Sequence, residues 1–294
     1  MSEYLSHRFR SADGRLDLFA RDYRPDDRAD GGVGEGLPLL LMHGLTRNSA
    51  DFEPLVPHLS GRRLIVPDQR GRGLSDYDDD PALYRLDIYV ADMFALMDGL
   101  GIDRFGIVGT SMGGLMGMVM AAFQPARIAA LALNDIGPVV DDEGMERIRG
   151  YVGPRKEPAK SWEEMAERFK AVNAQAFLDF GQDDWLAFAR RTSRQDGDLV
   201  VTAFDPAISQ GISAENDAVV PDNLWPVWDA VSTVPALVIR GAVSDLLSAE
   251  TVSEMARRHE AAFASTEVPL RGHAPLLDEP AALAALLPFL QVHS

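Results

Sequence analysis

Five short segments frame this chain because each is apolar without interruption and too short for a buried helix: Leu37 to Met42, Leu64 to Val66, Phe105 to Val108, Ala129 to Leu133 and Ala236 to Ile239. A sixth, Ser265 to Val268, is weaker. A strand with one wet face alternates apolar and polar residues, whereas unbroken apolarity suits strands buried on both faces. The expected fold class is therefore α/β, a mainly parallel central sheet flanked by helices. Helical patterning lies between the runs. Leu86 to Leu100 carries Ile88, Val90, Met93, Phe94 and Met97 on a broad apolar face and stops at Gly101, and Ala281 to Leu290 closes the chain with an apolar helix. Before the first run, alternating segments Tyr4 to Arg10 and Arg15 to Arg21 meet at Asp13-Gly14, which suits an antiparallel hairpin. Asp26 to Gly36 is a Gly- and Asp-rich loop. Its glycines precede a strand, whereas a dinucleotide-binding fingerprint follows one.

The alternation stops between Asp135 and Ala230, where the sequence reads as helices and loops without a strand and holds all four tryptophans, Trp162, Trp185, Trp225 and Trp228. An insertion after a parallel strand sits at the carboxyl ends of the sheet, where such folds bind ligands. The expected organisation is a core of residues 1–134 and 231–294 with a helical cap over 135–230.

The formal charge of -17, from 45 acidic and 28 basic residues, repels phosphate backbones and anionic lipids, so neither nucleic acid nor a membrane is expected as partner. Cysteine is absent, which excludes disulfides and thiolate chemistry. The opening MSEYLSHRFR carries no apolar signal segment, and the default expectation is a cytoplasmic protein. The oligomeric state is not legible.

Chemistry enters at Gly109-Thr110-Ser111-Met112-Gly113-Gly114, where an apolar strand gives way to an apolar helix. Gly-x-Ser-x-Gly in that setting is a nucleophile elbow: a tight turn lifts the hydroxyl out of the sheet, and the glycines clear the approach of strand and helix. A serine hydroxyl needs a base. Of six histidines, His273 in RGHAPLLDEP follows the last strand and precedes the last helix, which suits that task. His259 reads as a surface residue of a charged helix, and His43 as a structural loop residue. The base needs a carboxylate. Asp245 in VIRGAVSDLLSAE is favoured over Asp135 in LNDIGP, because it lies in the loop after a strand and gives the order Ser111, Asp245, His273. Backbone N–H groups of Met112 and of Leu45, in HGLT, are the expected oxyanion donors.

Other features are set aside. DYDDDP, from Asp76 to Pro81, spaces its carboxylates like a calcium loop but has proline where that loop needs glycine, and reads as a solvated loop. Arg70 and Arg72 in DQRGRGLSD read as structural.

Together LLLMHGLTRNS, VPDQRGRGLSD, GIVGTSMGGLMG, VIRGAVSDLLS and RGHAPLLDEP resemble the α/β-hydrolase superfamily, in the branch with a helical cap after the sixth strand. The resemblance implies a serine hydrolase acting on a small molecule without a cofactor. Hydrolysis of a carboxylic ester or similar acyl compound is the leading expectation. Lactone hydrolysis, carbon–carbon bond hydrolysis of ring-cleavage products, perhydrolysis and ligand reception with little turnover stay open.

Overall fold

The computed structural model describes residues 3–25, 36–152, 157–212 and 223–294. Most of the Asp26 to Gly36 loop lies outside them. Eight strands form one sheet: β1 (Leu5–Arg10), β2 (Asp17–Tyr23), β3 (Leu39–Met42), β4 (Leu64–Asp68), β5 (Phe105–Thr110), β6 (Ile128–Asn134) and, further along the chain, β9 (Ala236–Gly241) and β10 (Phe263–Val268). Their order is β1-β2-β4-β3-β5-β6-β9-β10. The pairs β1–β2 and β2–β4 are antiparallel and all the others parallel.

Two-sided burial explains the unbroken apolar runs. Along β3, Leu40 and Met42 enter one hydrophobic cluster while Leu39 and Leu41 enter the other. On β9, Val238 faces the first and Leu237 and Ile239 the second. The first layer is closed by α1 (Leu86–Gly99), α2 (Met112–Phe123) and, later in the chain, α7 (Ala249–Arg258). The second is closed by α8 (Pro280–His293) and two 3-10 turns at Ser49–Phe52 and Val56–Leu59. From β3 the chain moves outward to β4, then returns past β3 to β5 and on to β6. Strand order thus reverses between β3 and β5, and the loops leaving their carboxyl ends diverge around a crevice, the place where open α/β sheets bind ligands.

Between β6 and β9 lie α3 (Asp142–Val152), α4 (Trp162–Asn173), α5 (Gln182–Thr192), an antiparallel hairpin of β7 (Ser193–Asp196) and β8 (Leu199–Thr202), and α6 (Trp225–Ala230). The hairpin corrects the strand-free reading of this segment. Part of the segment owns a small core, in which Phe177, Phe180, Trp185 and Phe188 meet edge-on or stacked at centroid distances of 4.5 to 5.8 Å. The last helix, α6, belongs elsewhere. Trp228 is fully buried in the main core and donates its indole N–H to the Met255 carbonyl at 3.1 Å. Among the described residues no helix is long and apolar enough to cross a membrane.

Candidate active site

Ser111 occupies the turn from β5 into α2 with φ of 53°, in the left-handed region that side chains beyond glycine adopt only under constraint. The constraint comes from both sides. Ser111 donates its N–H to Asn134 O at 3.0 Å, and its carbonyl accepts from Gly114 at 2.8 Å. Glycine is required where α2 presses on the sheet: a methyl on Gly113 would lie 2.1 Å from Met42 O, and one on Gly109 would lie 2.4 Å from Gly113 O. Both neighbours are backbone and cannot step aside. Gly113→Ala is expected to cost upwards of about 2 kcal/mol by overpacking, read as a lower midpoint in urea unfolding.

His273 lies on the loop between β10 and α8, buried, with Nε2 2.8 Å from Ser111 Oγ. That loop is tied to the elbow by Asn134, whose amide donates to Thr110 Oγ1 at 3.0 Å and to Pro275 O at 2.8 Å. The imidazole's other nitrogen, Nδ1, is 2.9 Å from Asp135 Oδ2.

That contact corrects the sequence reading, which gives the carboxylate's place to Asp245. Asp135 follows β6 directly, with φ of 53°, and donates its N–H to Ile239 O at 2.7 Å. Its side chain is fully buried under the end of β9, where Oδ1 accepts from Gly241 N–H at 2.7 Å and Oδ2 from Ser244 Oγ at 2.6 Å. A buried carboxylate needs such donors. Asp245 turns away to the α3 side, where Arg147 grips it through Nε and through Nη2 at 2.8 Å. Burial pushes the Asp245 carboxyl up, but the Arg147 fork outweighs it and leaves the group below its ordinary value. The residue with the carboxyl-end hydroxyl, Ser244, carried no signal of its own in the sequence.

The N–H groups of Leu45 and Met112 make no hydrogen bond among the described residues. Both flank the crevice, one at the end of β3 and one at the first position of α2. Arg72 holds this arrangement from behind. Fully buried, it donates Nε to Leu45 O at 2.9 Å, and Nη1 to Arg70 O at 2.7 Å and to the Tyr89 hydroxyl at 2.8 Å. Its Nη2 approaches Met112 Sδ at 3.9 Å. Pinning the Leu45 carbonyl orients the peptide that carries the next loop, which is the structural part expected of this arginine.

His43 is fully buried and its pKa falls to about 3, chiefly through desolvation, while Nδ1 donates to Gly44 O at 2.7 Å; it is a neutral turn-builder. His259 is half-buried rather than a surface residue, stacked 4.9 Å from Trp228 with Nε2 2.8 Å from Val234 O. The Asp76 to Pro81 loop is not simply solvated, since the Asp78 carboxylate is buried between Arg70 at 2.8 Å and Arg15 at 3.0 Å. Among the described residues, no group of three or more His, Asp or Glu side chains could hold a metal ion.

A cavity of about 310 Å³ opens over Ser111 and His273. Its walls are the loop Gly44 to Arg47 below, Ile148 and Tyr151 of α3, Phe169 of α4, Phe188 of α5 and the β7–β8 hairpin. This is the size and mixed lining of a small-molecule site.

The sequence from residue 38 to 257 matches the family model of the alpha/beta hydrolase fold. The chain is 35% identical over 255 residues to the 3-hydroxybutyrate-oligomer hydrolase of Cupriavidus necator, covering 84% of this chain and 85% of that protein. It is 30% identical over 226 residues to the 2-(acetamidomethylene)succinate hydrolase of Mesorhizobium japonicum, covering 76% and 77%. In structure it is similar to an alpha/beta hydrolase from Novosphingobium aromaticivorans, with a TM-score of 0.88, 40% identity and 99% of both chains covered. Fold, family match and hydrolase relatives agree: the chain belongs to the α/β-hydrolase family and is a hydrolase.

Proposed function

We propose that this hydrolase cleaves short carboxylic esters through an acyl-enzyme, with Ser111 as nucleophile, His273 as general base and acid, and Asp135 as the carboxylate behind it. The observation that carries the proposal is the unbroken relay from Ser111 Oγ through His273 to Asp135, at 2.8 and 2.9 Å, opening onto the cavity. Ser111 Oγ attacks the ester carbonyl while its proton passes to His273 Nε2. The oxyanion that forms accepts from the N–H groups of Leu45 and Met112. The carbon–oxygen bond to the alcohol then breaks, and His273 returns the proton to the departing alkoxide. Water attacks the acyl-serine while His273 takes its proton, and collapse releases the carboxylic acid as His273 returns that proton to Ser111 Oγ. Asp135 fixes the imidazole tautomer with Nδ1 protonated and balances its positive charge.

Helices α3, α4 and α5 and the β7–β8 hairpin act as a cap over this site, supported by the aromatic cluster of α4 and α5 and by their share of the cavity wall, while Asp135 and α6 at the two ends of the inserted segment belong with the core. The similarity to an oligomer hydrolase supports linear oligoesters of small hydroxy acids as the substrate class. A serine-directed fluorophosphonate is expected to label Ser111, and p-nitrophenyl butyrate and the 3-hydroxybutyrate dimer to be turned over. Labelling without turnover of either ester would discard the esterase reading in favour of carbon–carbon hydrolysis or ligand reception.

A further inference from the structure

Arg47 ends the turn that begins at the cavity floor, with its N–H bonded to Gly44 O at 3.1 Å. A methyl placed on Gly44 would sit 3.6 Å from Ser111 Cβ and 3.7 Å from Arg47 Cγ, so serine and arginine flank one glycine. The guanidinium is fixed from two directions. Nη1 donates to Asp51 Oδ1 at 3.0 Å, and the group lies 4.1 Å from the Phe188 ring centroid. Asp51 takes one of five N–H donors. Nε and Nη2 form no hydrogen bond among the described residues, the side chain is 17% exposed, and the residue lines the cavity. Their two N–H groups make the side-on fork that matches a carboxylate in parallel, two-bond geometry.

The other charged groups on the walls are committed or peripheral. Asp205 accepts from the Tyr84 hydroxyl at 2.6 Å and from Ala207 N–H at 2.9 Å. Arg168 is bound to Glu164 at 2.6 Å and to the Glu157 carbonyl. Arg194 is exposed on β7. Arg47 thus lines the same cavity as Ser111, held rigid by Asp51 and Phe188, with its Nε and Nη2 donors uncommitted among the described residues.

We infer that Arg47 reads a carboxylate on the substrate, placed a few bonds from the scissile carbonyl, so that the preferred esters are acidic ones such as the free-acid dimer of a β-hydroxy acid. The inference rests on the ester-hydrolase reading and narrows its substrate class. Two relatives are named for acids of this kind, a hydroxybutyrate oligomer and a substituted succinate.

The test compares the 3-hydroxybutyrate dimer with its methyl ester, which masks the terminal charge, cleavage being followed at the inner ester bond that both compounds share. For the full-length protein, kcat/KM is expected to favour the free acid at least tenfold. Arg47→Gln is expected to erase that preference mainly through KM, Arg47→Lys to restore part of it, and Arg194→Gln to leave the ratio between the two substrates as it is. Equal preference in Arg47→Gln and wild type, or loss of preference in Arg194→Gln alone, overturns the inference. Calorimetric titration of Ser111→Ala with both compounds separates it from the catalytic reading. Tighter binding of the acid, lost in Ser111→Ala/Arg47→Gln, sustains carboxylate recognition even if no ester is turned over. Equal binding of acid and methyl ester, or none, overturns it whether or not esters are cleaved.

Discussion

Replacing Ser111 by alanine is expected to lower kcat/KM for p-nitrophenyl butyrate by about 10⁴- to 10⁶-fold, the scale at which removing a nucleophile collapses a triad to what the oxyanion hole supplies alone. The fold should survive. Among the described residues the Ser111 hydroxyl has one partner, His273 Nε2, and the strained backbone at φ of 53° is held by Asn134 O and by Gly114 N–H, which alanine keeps. A melting temperature within a few degrees of wild type, together with activity below detection, is the expected pair of readings. Activity retained within tenfold would remove Ser111 from the mechanism.

The second large effect separates two aspartates. Asp135→Asn is expected to lower kcat by about 10³- to 10⁴-fold, because an amide cannot balance an imidazolium and its NH₂ group adds a donor where three already converge. Those three come from Gly241, Ser244 and His273. Asp245→Ala is expected to keep kcat within about tenfold and to lose stability instead, since it strands the largely buried Arg147 guanidinium without its carboxylate. Urea unfolding and initial rates on the two variants read these outcomes directly. The opposite pattern, with chemistry lost at Asp245 and kept at Asp135, would restore the assignment made from sequence.

Sequence reasoning favours Asp245, whereas the structure sets Asp135 against His273, and the reason for the difference is instructive. Both Asp135 and Asp245 lie between Ser111 and His273 in the chain and both follow a strand, so order and loop placement cannot separate them. What decides is where each carboxylate finds donors. Asp135 leaves β6 beneath the end of β9, within reach of Gly241 N–H, whereas Asp245 lies beyond Ser244 and meets Arg147 from a different part of the chain. Ala236 to Ile239 reads as strand from its own residues; the Arg147 contact spans nearly a hundred positions and has no local trace. The β7–β8 hairpin was hidden for a related reason. Ser193-Arg194-Gln195-Asp196 carries no apolar face, and three of its four residues are exposed, so its pairing with Val200 and Val201 leaves no alternation to detect. By contrast the elbow was legible because steric necessity writes it locally: Gly109 and Gly113 stand where backbone meets backbone.

The displacement of Asp245 leaves its loop with mechanical work. Two main-chain bonds, from Asp141 N–H to Leu246 O and from Gly144 N–H to Asp245 O, each 3.0 Å, strap the start of α3 to the loop after β9. The Arg147 fork closes the strap, and Gly144 permits it, since a methyl there would lie 2.6 Å from Asp245 O. Ser244, the next residue back, hydrogen-bonds Asp135. Helix α3 and the carboxylate behind His273 are therefore joined in series, and lifting the helix would slacken the acid. An opening motion that preserves the relay must leave the start of α3 in place.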